Sequence, residues 1–105
     1  MNKQDIGGII VSAVKCIPEN NGKVVMNLQI QTQDSFKDKT GKPHSKLNLH
    51  NVELWDKSAR MVATNYNKGS YIIVSGRSET IIKDGHPITK LIVNSVENFS
   101  RKLLG

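Results

Sequence analysis

One stretch alone of this chain carries a helical repeat, and where it stands constrains the fold more than any other feature. Ala59, Val62, Ala63 and Tyr66 fall at i, i+3, i+4 and i+7, the spacing of one helix face. Asp56 precedes them as an N-cap for a helix over Lys57 to Asn67, and Gly69 is placed to end it. Both flanks read as strand. Ile6 to Ile17 is rich in Ile and Val and stops at Pro18. Met26, Leu28, Ile30 and Thr32 then alternate with Asn27, Gln29 and Gln31, the period of a half-buried strand. Leu47 to Trp55, Tyr71 to Ile82 and Ile88 to Phe99 complete the set, with Asn21-Gly22 and Asp84-Gly85 as hairpin signals.

Three strands, one helix and two strands is the order of an OB-fold: an all-β, five-stranded Greek-key barrel with one short helix between strands 3 and 4. An SH3-like barrel would not place a three-turn helix at that point. The 105 residues suit a single domain, read as an OB-fold over 1–100 and a short basic tail over 101–105. Parity assigns the third strand's faces. His50, Val52 and Leu54 share the core side, and Leu49, Asn51, Glu53 and Trp55 point outward. The only tryptophan is therefore expected outside the core.

The single Cys16 makes no intrachain disulfide and reads as a small apolar residue on a strand. Ile6 to Val14 is a nine-residue uncharged run with two glycines, too short for about 30 Å of hydrocarbon. Lys15 follows with no small-residue cleavage site. The expectation is an intracellular protein with no membrane partner.

Catalysis has little to work with. The sequence holds no Gly-x-Ser-x-Gly, no phosphate-cradling glycine loop before a helix and no Cys-x-x-Cys. His44, His50 and His86 stand at no metal-ligand spacing. No enzyme activity, metal or cofactor is expected.

Binding has more. Fifteen Lys and Arg oppose nine Asp and Glu, a net charge of +6, and such a balance favours a polyanionic partner. Ser35 to Lys46 supplies +3 of it, with Lys37, Lys39, Lys42 and Lys46 against Asp38. This segment shows no apolar periodicity and reads as a flexible, Lys-rich hairpin that neutralises phosphates, or else as a solvated loop. Phe36 opens it, and Trp55 ends the next strand. Exposed aromatics bracketing a basic groove suit single strands, whose bases stack on them for about 1–3 kcal/mol each. The alternatives are an interface or core role for Trp55 and a lid over the barrel end for Phe36. Lys57 at the helix start extends the candidate groove, and Arg77 and Lys83, on one face of the fourth strand, either extend it too or are ordinary sheet-surface charges. On that strand Tyr71 and Ile73 oppose Ile72 and Val74 in parity, so both faces are apolar and one is available to an oligomer interface.

The residues Leu49-His50-Asn51-Val52-Glu53-Leu54-Trp55, the Ala59 helix, and Asn67-Lys68-Gly69-Ser70 running into Tyr71-Ile72-Ile73-Val74-Ser75-Gly76 resemble the bacterial single-stranded DNA-binding protein family. Its core reads roughly W-H-x-V-x-x-F-x-x-x-A and then K-G-S-x-V-x-V-x-G. Ile17-Pro18-Glu19 is similar to its D-P-E, and Phe36-Lys37-Asp38-Lys39 to its W-x-D-K. The resemblance implies an OB-fold that coats single-stranded DNA with little sequence preference in replication, recombination or repair. It also implies a homo-oligomer, with a tetramer favoured and a dimer as the alternative. Phe36 and Trp55 fall where the family stacks bases, and His50 where it assembles subunits. A bacterial cytoplasm or nucleoid follows, with organelle, phage and plasmid origins open.

Leu49 and Lys83 stand at or near positions where stacking tryptophans are typical, which predicts less stacking and more reliance on charge. The sequence reaches Gly105 without the family's linker and acidic tail, so tail-mediated recruitment of repair proteins is not expected. Two other readings stay open: a primosomal replication-restart protein of the PriB type, and an OB adaptor subunit that binds no nucleic acid. RNA is a further candidate ligand, since stacking alone does not distinguish ribose from deoxyribose.

Overall fold

The computed structural model describes residues 3–97. The elements run β1 (Lys3–Ile10), β2 (Ile17–Pro18), a 3-10 turn (Asn20–Gly22), β3 (Val24–Lys37), β4 (Pro43–Trp55), α1 (Asp56–Asn65), β5 (Tyr71–Lys83) and β6 (His86–Glu97). They form one sheet in the order β1-β5-β6-β4-β3-β2, and β1 also pairs with β3. That pairing closes the five long strands into a barrel, the expected OB-fold; β2 is a two-residue addition to the rim of β3. The β4–β6 contact is parallel, at Val52↔Leu91 and Glu53↔Ile92.

The core is the set that alternation predicts. Met26, Leu28 and Ile30 from β3, Val52 and Leu54 from β4, Ile72 and Val74 from β5, and Leu91 and Val93 from β6 are buried, with Ile10 from β1. The helix lies against this cluster through Ala59 and Val62. Ala63, expected on its buried stripe, is exposed, and Met61 packs on the core instead. Among the described residues no helix is long and apolar enough to cross a membrane.

Four local expectations are corrected. The first strand ends at Ile10 rather than Ile17, because its end is drawn to the segment before β5: Ile10 N–H donates to the Ser70 carbonyl at 2.9 Å and Gly69 N–H to the Ile10 carbonyl at 2.7 Å. Asp56 does not cap the helix. Its φ is 48°, and its carboxylate accepts the Val24 N–H at 3.1 Å, tying the start of β3 to the helix entry. The helix itself runs Asp56–Asn65, and Gly69, at φ 96°, lies in the turn beyond it. The Lys-rich segment is no loose loop, since the β3–β4 ladder continues through Phe36↔His44 to Lys37↔Pro43. Residues 98–105, with Phe99 and the basic tail, lie outside the described residues.

Gly76 allows two backbones to meet where β5 bends. β5 carries a register shift between Ser75 and Gly76, and a Cβ on Gly76 would run into the Ile92 carbonyl. A Cβ on Gly7 would instead meet the Tyr71 hydroxyl, the far end of a side chain and not backbone. Gly76→Ala is therefore expected to cost about 1–3 kcal/mol through backbone displacement, and Gly7→Ala distinctly less. Urea unfolding of the two variants checks the order.

Candidate nucleic-acid interface

Residues opposite each other in an antiparallel ladder point to the same side, so the β3–β4 register sorts the candidate residues by face. Met26↔Leu54, Leu28↔Val52 and Ile30↔His50 carry the core side. Thr32↔Asn48, Asp34↔Lys46 and Phe36↔His44 continue it beyond the barrel onto the arm. The outer side runs through Val25↔Trp55, Asn27↔Glu53, Gln29↔Asn51, Gln31↔Leu49 and Gln33↔Leu47 to Lys37↔Pro43. Phe36 and Trp55 thus have opposite parity, and the ladder between them measures about 36 Å at roughly 3.3 Å per residue. They stand at opposite ends of the same ribbon and with opposite parity in its ladder, not side by side.

The β3–β4 arm is held by one carboxylate. Asp38 accepts the Thr40 N–H at 2.9 Å, the Thr40 hydroxyl at 2.6 Å, the Lys42 N–H at 2.9 Å and His44 Nε2–H at 2.8 Å. The Thr40 hydroxyl, then His44, then the Lys42 amide hold its carboxyl far below the usual carboxylate range. With Gly41 at φ 83°, the turn is compact. His44 also stacks on Phe36, ring centroids 5.4 Å apart at 18°, and covers one face of the ring. Phe36 remains 53% exposed, so its other face is accessible.

Lys37, Lys39, Lys42 and Lys46 are all exposed. Among the described residues the ion pairs are His44–Asp38 and Lys90–Glu53, so these four cations have no carboxylate partner. Lys46 stands opposite Asp34, but Asp34 instead accepts the Asn48 amide N–H at 2.7 Å.

The outer wall also collects residues from β5 and β6. Arg77↔Ile92, Glu79↔Lys90, Ile81↔Ile88 and Lys83↔His86 face outward, opposite in parity to buried Leu91. Arg77 and Lys83 thus join Trp55 and Leu49 on the outer side, with Lys57 exposed at the helix start. Trp55 is 37% exposed. Its indole N–H donates to Glu53 at 2.8 Å, and Lys90 Nζ meets the other Glu53 oxygen at 2.6 Å. Partial burial alone would raise the Glu53 carboxyl, but the hydrogen bonds from Lys90 and Trp55 outweigh it and leave it below its usual value. Sequence reasoning missed this pair. Glu53's outward parity two residues before Trp55 was legible, whereas Lys90 arrives through the parallel β4–β6 contact, which no local pattern announces.

The assembly candidates fall elsewhere. Tyr71 and Ile73 pair with Ile9 and Gly7 on the outer side of β1–β5, where Tyr71 and Ile9 are 52% and 39% exposed. His50 is not on that face. It is half-buried on the core side, its Nε2 2.9 Å from the Thr32 hydroxyl, and shares a depression with Asp5, Ile6 and Gly7 of β1.

The sequence matches the single-strand binding protein family over residues 1–99. Similar solved structures include a deletion mutant of the single-stranded DNA binding protein from Thermus aquaticus, with TM-score 0.83 and 24% identity, covering 92% of this chain and 49% of that one. The wild-type Thermus aquaticus protein gives TM-score 0.80 at 21% identity with the same coverage. The Plasmodium falciparum SSB complex with ssDNA gives 0.78 at 23% identity, covering 92% of this chain and 91% of that one. The chain spans about half the length of the Thermus proteins. At these identities the likeness establishes the barrel.

Because the folded Asp38 carboxyl lies below its ordinary value of 3.8, its ionised form contributes stability above that pH, and the contribution fades as pH falls below it. Asp38→Asn is expected to be less stable than the parent at neutral pH. The difference measured by urea unfolding should shrink steadily on acidification below the ordinary carboxylate value.

Proposed function

The chain belongs to the single-strand binding protein family, and from that premise we propose that it coats single-stranded DNA without sequence preference, in replication, recombination or repair. One observation carries the reading: an ordered arm presenting four exposed lysines, without carboxylate partners among the described residues, projects from a barrel wall on which Trp55 and Leu49 are exposed. Phosphates are neutralised along the arm, by Lys37, Lys39, Lys42 and Lys46, with Lys57, Arg77 and Lys83 extending the path. Bases stack on Trp55 and on the open face of Phe36. A strand reaching both rings has to run the length of the β3–β4 ladder between Phe36 and Trp55. The SSB of Plasmodium falciparum, alike in fold, was solved in complex with ssDNA, and this supports the reading.

The protein acts by binding and not by turnover, inside the cell, with the bacterial nucleoid as its setting. We assign Tyr71 and Ile73 to a self-association surface that forms a homotetramer, with His50 and β1 beside a second contact. Assembly joins several strand paths into one of higher avidity.

Two measurements test this. Binding to labelled oligo-dT should weaken steeply with salt, and Lys37→Gln/Lys39→Gln/Lys42→Gln should flatten the log–log slope by about 2, from roughly 0.7 per phosphate contact on a single strand. Absence of binding at low salt contradicts the function. Sedimentation should give four times the 11.7 kDa chain mass, and a lower mass for Tyr71→Asp/Ile73→Asp; an unchanged mass in that variant contradicts the interface.

A further inference from the structure

The outer wall holds an acid where a polyanion is expected to lie. Glu53 and Lys90 are largely covered, their side chains 13% and 24% exposed, and the Glu53 carboxylate divides its two oxygens between them and the ring. Oε1 takes Lys90 Nζ at 2.6 Å and Oε2 takes the Trp55 indole N–H at 2.8 Å. An indole held at its N–H edge keeps its π-face for stacking, and an ammonium committed to a carboxylate is withdrawn from phosphates. Glu79 stands across from Lys90 in the β5–β6 ladder, yet Lys90 pairs with Glu53.

We propose that Glu53 is a positioning residue for strand binding, orienting Trp55 for stacking while masking Lys90, so that the ring takes up a base and phosphates go to the cations that stay unmasked. The inference rests on the single-strand reading above. It divides the surface into two chemistries: exposed cations, most of them on the arm, that set the salt dependence, and a charge-balanced patch of Glu53 and Lys90 beside Trp55 that sets the base contact. Affinity is lower than the lysine and arginine content alone would give, because one cation of the wall is neutralised internally.

The test compares the full chain with Glu53→Gln, Glu53→Gln/Lys90→Gln and Glu53→Ala, using fluorescein-labelled oligo-dT over a range of salt concentrations. Glu53→Gln keeps the shape and an acceptor for the indole N–H but releases Lys90. It should bind more tightly at low salt, with a slope steeper by about 0.7 for one added phosphate contact on a single strand. Adding Lys90→Gln should return the slope to that of the parent. A slope in Glu53→Gln equal to or shallower than the parent's overturns the masking role, and a merely structural role would not steepen it. For the orienting role, the readout is tryptophan anisotropy without DNA. Glu53→Ala should lower it by freeing the ring, and an unchanged value overturns that role. If the parent chain itself fails to bind oligo-dT, the single-strand reading falls, while the anisotropy still reports whether Glu53 holds Trp55.

Discussion

The β3–β4 ladder runs through thirteen residue pairs, Val25↔Trp55 to Lys37↔Pro43, without a bulge. A slip of one residue would turn the slipping strand over. A slip of β3 would move Met26, Leu28 and Ile30 out of the core and bring Gln29 in, and a slip of β4 would exchange Val52 and Leu54 for Asn51 and Glu53. Burial of the apolar set therefore holds the register at the barrel end, and the register then dictates which side of the distant arm each residue occupies. Phe36 and Lys46 share one parity of the ladder and Trp55 and Lys37 the other because Leu28 and Val52 must be buried. The binding surface inherits its layout from the core.

Electrostatics on this frame is unevenly distributed. The arm turn satisfies its one aspartate internally, with four donors on Asp38, so the lysines around it are not quenched. On the wall, Glu53 and Lys90 neutralise each other beside Trp55. Unpaired surface cations cost little to keep in water. They gain most when a polyanion arrives and its counterions are released, which is how a surface of this kind favours strand over solvent. Stacking contributes at Trp55, where Glu53 and Lys90 balance each other and the ring is held by its edge.

Much of the barrel was legible because its evidence is local. The alternation of Met26, Leu28 and Ile30, the helical spacing of Ala59 and Val62, and the turns at Asn21-Gly22 and Asp84-Gly85 each identify an element and its inward face. The hairpin extent was not legible. Ser35 to Lys46 has no apolar alternation, since an arm with water on both sides needs none, and its order comes from hydrogen bonds onto Asp38 that composition does not reveal. Asp56 has the chemistry of an N-cap, but the nearby Val24 amide takes its carboxylate. The first strand's end was hidden for a similar reason: Ile10 is drawn away by Gly69 and Ser70, nearly sixty residues later. At the site, the residue types were readable and their geometry was not. Facing could be counted along one strand, but the distance between Phe36 and Trp55 required the ladder, and the Glu53–Lys90 pair required the parallel closure of the barrel.

The central claim is that a base stacks on Trp55 while charge on the arm supplies the salt-sensitive part of binding. As the chain has a single tryptophan, its intrinsic fluorescence during titration with unlabelled oligo-dT reads that contact directly. The account predicts deep quenching at low salt that is reversed when salt is added. Strand binding detected by a change in mass, with Trp55 emission unaltered, would contradict it.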